Sequence, residues 1–192
     1  MSAVLLVVDA QEAVNDARGT RGGGERGQPD AETAIGRLVA HWRERGERIV
    51  HLRHDSMDPD APDAVGASGH AFLPAACPAE GETVVEHRTT NTFIGTDLMQ
   101  VLEDAGSHEL VVCGATLEGA VESTVRMAHA LGFLCLVPRD AVIARAARNR
   151  DGRHWPADEV AALTLAVMDG AFASVVDTAA LVSGAEAGGT VQ

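Results

Sequence analysis

Residues 110–124 read LVVCGATLEGAVEST. The apolar run Leu110 to Cys113 stops at Gly114, and a helical pattern starts at about Leu117 with Val121, Val125 and Ala128 on one face. A short apolar run that gives way at once to a helix reads as a buried strand of a parallel sheet and its crossover. Such a turn lies at the C-terminal edge of the sheet. There the helix N-terminus favours negative charge, and a nucleophile is often presented. Position 120 lies in that first helical turn and is alanine, which has nothing to present.

The same alternation extends in both directions. Val4 to Val8 form a continuous apolar run ending in Asp9, the pattern of a strand covered on both faces. The glycine-rich segment RGTRGGGERGQPD (18–30) cannot be regular structure. Pro29-Asp30 opens a helix to about Arg45, with Ile35, Leu38, Val39 and Trp42 on one side. Arg48 to Arg53 and Thr83 to His87 read as strands, separated by a proline-rich loop over residues 54–82. A short helix is expected over Thr96 to Ala105, and the helix after the fourth strand runs from Leu117 to Leu131. Phe133 to Val137 make a fifth strand, a polar loop follows, Pro156 to about Phe172 form a helix, and Ser174 to Val176 a sixth strand. The expectation is an α/β domain over residues 1–182, a doubly wound parallel sheet of six strands with right-handed crossovers, followed by a frayed tail.

Composition narrows the chemistry. The net charge of −13 over 192 residues argues against nucleic acid and anionic membrane surfaces as partners, and leaves a small molecule as the expected ligand. All 15 basic residues are arginine, so no ε-amino group is available for catalysis. Cys113 and Cys135 fall inside strands and Cys77 in the long loop, with no disulfide framework and no CxxC pair. MSAVLLVVDAQ has no basic region and meets Asp9 and Glu12 directly, so it reads as a first strand of a cytoplasmic protein and not a signal peptide. No apolar stretch approaches the ~20 residues of a membrane span.

In a doubly wound sheet, sites lie beyond the C-terminal ends of the strands. Asp9, His54, His87 and the 114–120 turn all fall there. Asp9 ends a buried strand, so its carboxyl should be half buried with a raised pKa. His87 can be acid or base near neutrality. Glu118, in the first helical turn next to position 120, is a second acid or base, although the helix dipole alone explains a carboxylate there. Arg53, Arg88 and Arg126 could clamp a carboxylate, and Arg88, beside His87, is the one selected. His51, His54 and Asp55 invite a metal, but strand alternation sends His51 and His54 to opposite faces, and no metal or cofactor is assigned.

Several segments together resemble the isochorismatase-like hydrolases, the family that includes nicotinamidases and other cysteine amidohydrolases. They are LLVVDAQ (5–11), RHDSMDPDAP (53–62), GHAF (69–72), NTFIGTDL (91–98), VVCGAT (111–116), STVRMAHALGF (123–133), DGRHWPADEV (151–160) and FASVVDTAALV (172–182). The resemblance implies a six-stranded parallel sheet with helices on both faces and assembly into homo-oligomers. It implies a catalytic Asp after the first strand, a Lys after the third and a Cys at the helix after the fourth. It also implies substrate contacts around Phe93, Ala115 and Thr116, and a cis peptide between Ala115 and Thr116. The Asp position is Asp9. Counting six back from Phe93 puts the Lys position on His87, and counting six on from Gly114 puts the Cys position on Ala120.

With two of three groups changed, the covalent thioester route cannot run here. Three accounts of Ala120 are open. The chain is a hydrolase or lyase working without a cysteine, as true isochorismatases do with glycine at this place, protonating a vinyl ether for water attack. It is a cysteine amidohydrolase whose nucleophile was replaced by alanine. Or it is a non-catalytic, metabolite-binding descendant.

Overall fold

The computed structural model describes residues 3–16 and 25–183. Strands β1 (Val4–Val8), β2 (Ile49–His54), β3 (Thr83–His87), β4 (Glu109–Ala115) and β5 (Leu134–Pro138) alternate with helices α1 (Ala31–Arg45), α2 (Leu98–Ala105) and α3 (Glu122–Ala130). Two-residue strands β6 (Val142–Ile143), β7 (Ala147–Arg148) and β8 (His154–Trp155) follow, then α4 (Ala157–Met168), β9 (Ser174–Val176) and α5 (Thr178–Ser183). The sheet runs β3-β2-β1-β4-β5-β9, all parallel, with β6 added beyond β5 on the C-terminal end of β4. Part of the glycine-rich segment (residues 17–24) and the tail expected to fray (184–192) lie outside the described residues.

Both faces of the sheet are covered, which is why its central strands read as unbroken apolar runs. Alternation divides β1 cleanly. Val4, Leu6 and Val8 pack with α2 and α3 through Leu98, Leu102, Val121 and Val125. Leu5 and Val7 pack with α1 through Ile35, Leu38, Val39 and Trp42. Each fully buried Leu contributes about 1.5–3 kcal/mol. Among the described residues no helix is long and apolar enough to cross a membrane.

Two expectations are corrected. The polar loop after β5 contains β6 and the antiparallel β7–β8 hairpin, segments too short to show periodicity. Residues 178–183, not expected to be helical, form α5, whose first residue donates to Asp140 from both its backbone N–H and its Oγ1 (2.8 and 2.9 Å). The helix after β4 also differs in kind. Its first turn, Leu117–Val121, is π-helical, and Gly119 and Val121 both donate to the Thr116 carbonyl at 3.1 Å.

Glu82, just before β3, ties three elements together. Its carboxylate receives both Nε and Nη2 of Arg43 on α1 (2.7 and 2.9 Å), pairs with His51 Nε2 on β2 (2.8 Å) and accepts the Ala79 N–H. Arg43 is the main cause that holds the Glu82 carboxyl at about 2, below its usual 4.5. A depressed carboxylate pKa contributes stability that is full above the unfolded value and disappears as pH falls through the folded one. Chemical denaturation between pH 6 and 2 should therefore show stability declining from about 4.5 downward, with a shallower decline in Glu82→Gln. Gly114→Ala should cost on the order of 3 kcal/mol or more, because a Cβ there would lie 1.9 Å from the Val8 carbonyl oxygen at φ +122°. The urea midpoint reads this loss directly.

Candidate active site

Asp9 leaves the end of β1 with φ +44°, a left-handed turn that Asp tolerates better than most residues. Its N–H donates to Leu52 O at 3.0 Å, and its carbonyl accepts from Gln11 N at 2.7 Å. Buried Gln11 then braces three segments. Its Nε2 donates to the carbonyls of His54 and His70 (3.1 Å each), and its Oε1 accepts the His54 N–H (2.9 Å). The turn carrying Asp9 is thereby fixed against β2 and the long loop.

From β3, His87 meets Asp9: Nε2 lies 2.6 Å from Oδ1. The other ring nitrogen, Nδ1, faces the Thr89 carbonyl at 2.7 Å. A carbonyl can only accept, so Nδ1 carries a hydrogen. The Asp9–Nε2 contact then needs one proton between two acceptors, held on the carboxyl or on the imidazole. Either way the pair is neutral. Burial pushes the Asp9 carboxyl above its ordinary value, against the opposing hydrogen bond and charge of His87.

His54, at the end of β2, has its ring 5.4 Å from that of His87 and shares its Nδ1 with Asp63 Oδ2 at 2.6 Å. This bond raises the His54 pKa and lowers that of Asp63, the signature of an ion pair. His51 is opposite in behaviour: burial lowers its pKa despite Glu82.

The facing wall is built by the end of β4. Gly114 lets the strand approach Val8, the Ala115–Thr116 peptide is cis, and the π-helical turn carries Glu118 and Ala120. Burial raises the Glu118 carboxyl, whose Oε2 accepts the Arg145 N–H at 3.3 Å. Arg145, itself buried, donates to the carbonyls of Ala13 (2.9 Å), Val14 and Asp16 (3.3 Å), so the segment after β5 is laced to the turn after β1.

These walls enclose a cavity of about 430 Å³. Asp9, Ala115, Thr116, Glu118 and Ala120 line it, and His87 supports Asp9 from behind. Arg88 and Phe93 are not on this lining. Arg88 follows His87 at the bend where β3 ends and is exposed, and Phe93 packs on the core near Phe133. Arg53 pairs with Glu86, and Arg126 pairs with Glu122 along an open groove that shares Thr90, Glu118 and Gly119 with the cavity. His51, His54 and Asp55, weighed as a metal set, have three different partners: Glu82, Asp63 and His70. No cysteine lines the cavity. The buried Cys113 and Cys135 thiols are pushed up to about 12, and Cys77 is exposed elsewhere. Sequence reading did not single out Gln11, Asp63, Arg145 or Arg148 on the lining. The arginine-rich run ARAARNRDGR (144–153) was the one available signal.

Nuclear magnetic resonance titration of the histidine rings should find His54 above 6.5 and His51 below it. Asp63→Asn should bring His54 back down. The stabilisation from the His54–Asp63 pair should be full between about 3.8 and 6.5, be lost as pH rises through the raised His54 value, and be lost as pH falls through the lowered Asp63 value.

A family model described as the isochorismatase domain matches residues 3–180. The isochorismatase family protein YddQ of Bacillus subtilis is 30% identical over 184 residues, covering 94% of this chain and 98% of its own. A streptothricin hydrolase of Streptomyces noursei is 35% identical over 140 residues, covering 71% of this chain and 48% of its own. The crystal structure of a putative hydrolase of the isochorismatase family from Chromobacterium violaceum superposes with a TM-score of 0.89 at 39% identity, over 95% of this chain and 92% of that one. With the family model spanning nearly the whole sheet and both walls of the cavity, the chain belongs to the isochorismatase family of hydrolases.

Proposed function

We propose that this hydrolase cleaves a small molecule by direct attack of water, with Asp9 as general base and no covalent thioester. The observation that carries the reading is the 2.6 Å contact of His87 Nε2 with Asp9 Oδ1, at the edge of a cavity whose opposite wall bears Ala120. The lining offers neither a thiol nor an amine. The streptothricin hydrolase relative supports hydrolysis as the reaction class.

With the shared proton on the imidazole side of the contact, Asp9 is the carboxylate that can accept a further proton. A water positioned against Asp9 gives its proton to the carboxylate as its oxygen bonds to the carbon of an amide or activated ether. Backbone N–H groups of the 115–120 turn stabilise the oxyanion. When the intermediate collapses, Asp9 returns its proton to the leaving nitrogen or oxygen, or Glu118 donates and is reprotonated across the cavity by the proton Asp9 took from water. Glu118 suits donation because burial favours its neutral form. An amide gives an acid and an amine; an enol ether, protonated by Glu118 on its vinyl carbon before water adds, gives a carbonyl compound and an alcohol; the protein returns to its starting protonation.

On a panel of small amides and enol ethers, Asp9→Asn should reduce turnover by roughly 10²-fold or more while retaining the native circular dichroism, and His87→Ala should do likewise. Thiol alkylation should leave activity unchanged. The pH profile should be bell-shaped: a second proton occupies the base on the acid side, and loss of the shared proton sets two acceptors against each other on the alkaline side. Full activity in Asp9→Asn would remove the central residue. Turnover of no substrate, with ligands still bound, would favour the non-catalytic account.

A further inference from the structure

Four arginines, Arg145, Arg148, Arg150 and Arg153, fall within residues 145–153 of a chain whose net charge is −13, with Asp151 the one acid among them. The segment folds over the cavity as the end of the β6 excursion and the β7–β8 hairpin, and Arg145 and Arg148 line the cavity itself. The two have different duties. Arg145 is buried and its guanidinium is given to backbone carbonyls of residues 13, 14 and 16. Arg148 is exposed, its Nη1 donating to Gly152 O at 2.8 Å across the hairpin. Among the described residues it has no carboxylate within salt-bridge distance. That one bond orients the planar head and leaves its Nε–Nη2 edge for a two-point acceptor.

Charge accounting of the lining gives the same sign. Asp9 is neutralised by the proton shared with His87, and Asp63 by His54. Glu118, neutral or ionised, shares the lining with two arginines. The cavity is cationic in either state, in a protein that is otherwise strongly anionic.

We propose that Arg148 is the receptor for a carboxylate on the substrate, so that the molecules hydrolysed here are small carboxylic acids carrying the scissile bond at their other end. The inference rests on the cavity being the reacting site. A bidentate guanidinium–carboxylate contact at the rim sets orientation as well as affinity.

The test is calorimetric binding of malonate, succinate and glutarate to the full chain, against the diamide of matching length. At least one dicarboxylate should bind, and its diamide should bind at least about tenfold more weakly. Arg148→Gln should weaken the dicarboxylate by about tenfold or more, and leave the diamide unchanged. Arg150→Gln and Arg153→Gln, further along the hairpin, should change binding by less than about twofold. Equal loss in all three variants would reduce the effect to general electrostatics and overturn the assignment, as would undiminished binding in Arg148→Gln or no binding by any dicarboxylate. Asp9→Asn separates the two readings. If it abolishes turnover while Arg148→Gln leaves binding intact, the carboxylate receptor alone fails. If it keeps turnover while Arg148→Gln loses binding, the proposed base alone fails.

Discussion

The pairing of β1 with β4 at the centre of the sheet is the constraint on which the site depends. Val8 stands opposite Gly114 in the register, so Asp9 and Ala115 begin their turns side by side. Parallel strands lie about 4.8 Å apart, and that spacing sets the distance between the acid and the wall facing it. A side chain at position 114 would collide with the Val8 backbone. The glycine therefore keeps the two walls in register, and the left-handed turn at Asp9 aims the carboxyl across the gap. Helices on both faces hold the two strands in this relation, because neither can shift without exposing an entire row of apolar side chains.

Around that axis the half-buried carboxylates of four acids have specific partners. Asp9 has His87, Asp63 has His54, Asp55 has His70, Glu82 has Arg43 and His51. Burying a lone charge would be prohibitive, whereas a paired and hydrogen-bonded one is tolerated. Three of these contacts join β2 or β3 to the 54–82 loop or to the turn after β1, and the others tie the loop to itself and to α1, which explains how a proline-rich segment without long elements holds a defined wall. The imidazole at position 87 follows the same rule. The ring is anchored at its far nitrogen by Thr89, so its near nitrogen reaches Asp9 in a fixed direction.

The sheet was legible because its central strands are covered on both faces, and unbroken apolar runs such as LLVV need that environment. The convergence of Asp9, His87 and the 114–120 turn follows from parallel topology alone. What escaped is of two kinds. Two-residue strands β6 to β8 carry no periodic signal, so the segment that roofs the cavity read as a loop. Partnerships across 40 or more residues, such as Gln11 with the His54 backbone, leave no trace in local pattern either. Arg88 illustrates the hazard of adjacency. At the end of a strand the neighbour of an inward residue faces out, and Arg88 does.

The three cysteines have a consequence for the conditions under which such a protein can work. Oxidants attack the thiolate, and the Cys113 and Cys135 thiols, pushed up to about 12 inside the core, hold essentially none at neutral pH. Cys77, the exposed one, lies off the cavity. A relative that depends on a low-pKa cysteine is exposed to conversion into sulfenic and then irreversible sulfinic acid. Here the cavity presents carboxylates, imidazole, guanidinium and hydroxyls, none of which lies on that ladder. A cavity wall that bears alanine at position 120 and no thiol thus has no sulfur for peroxide to attack.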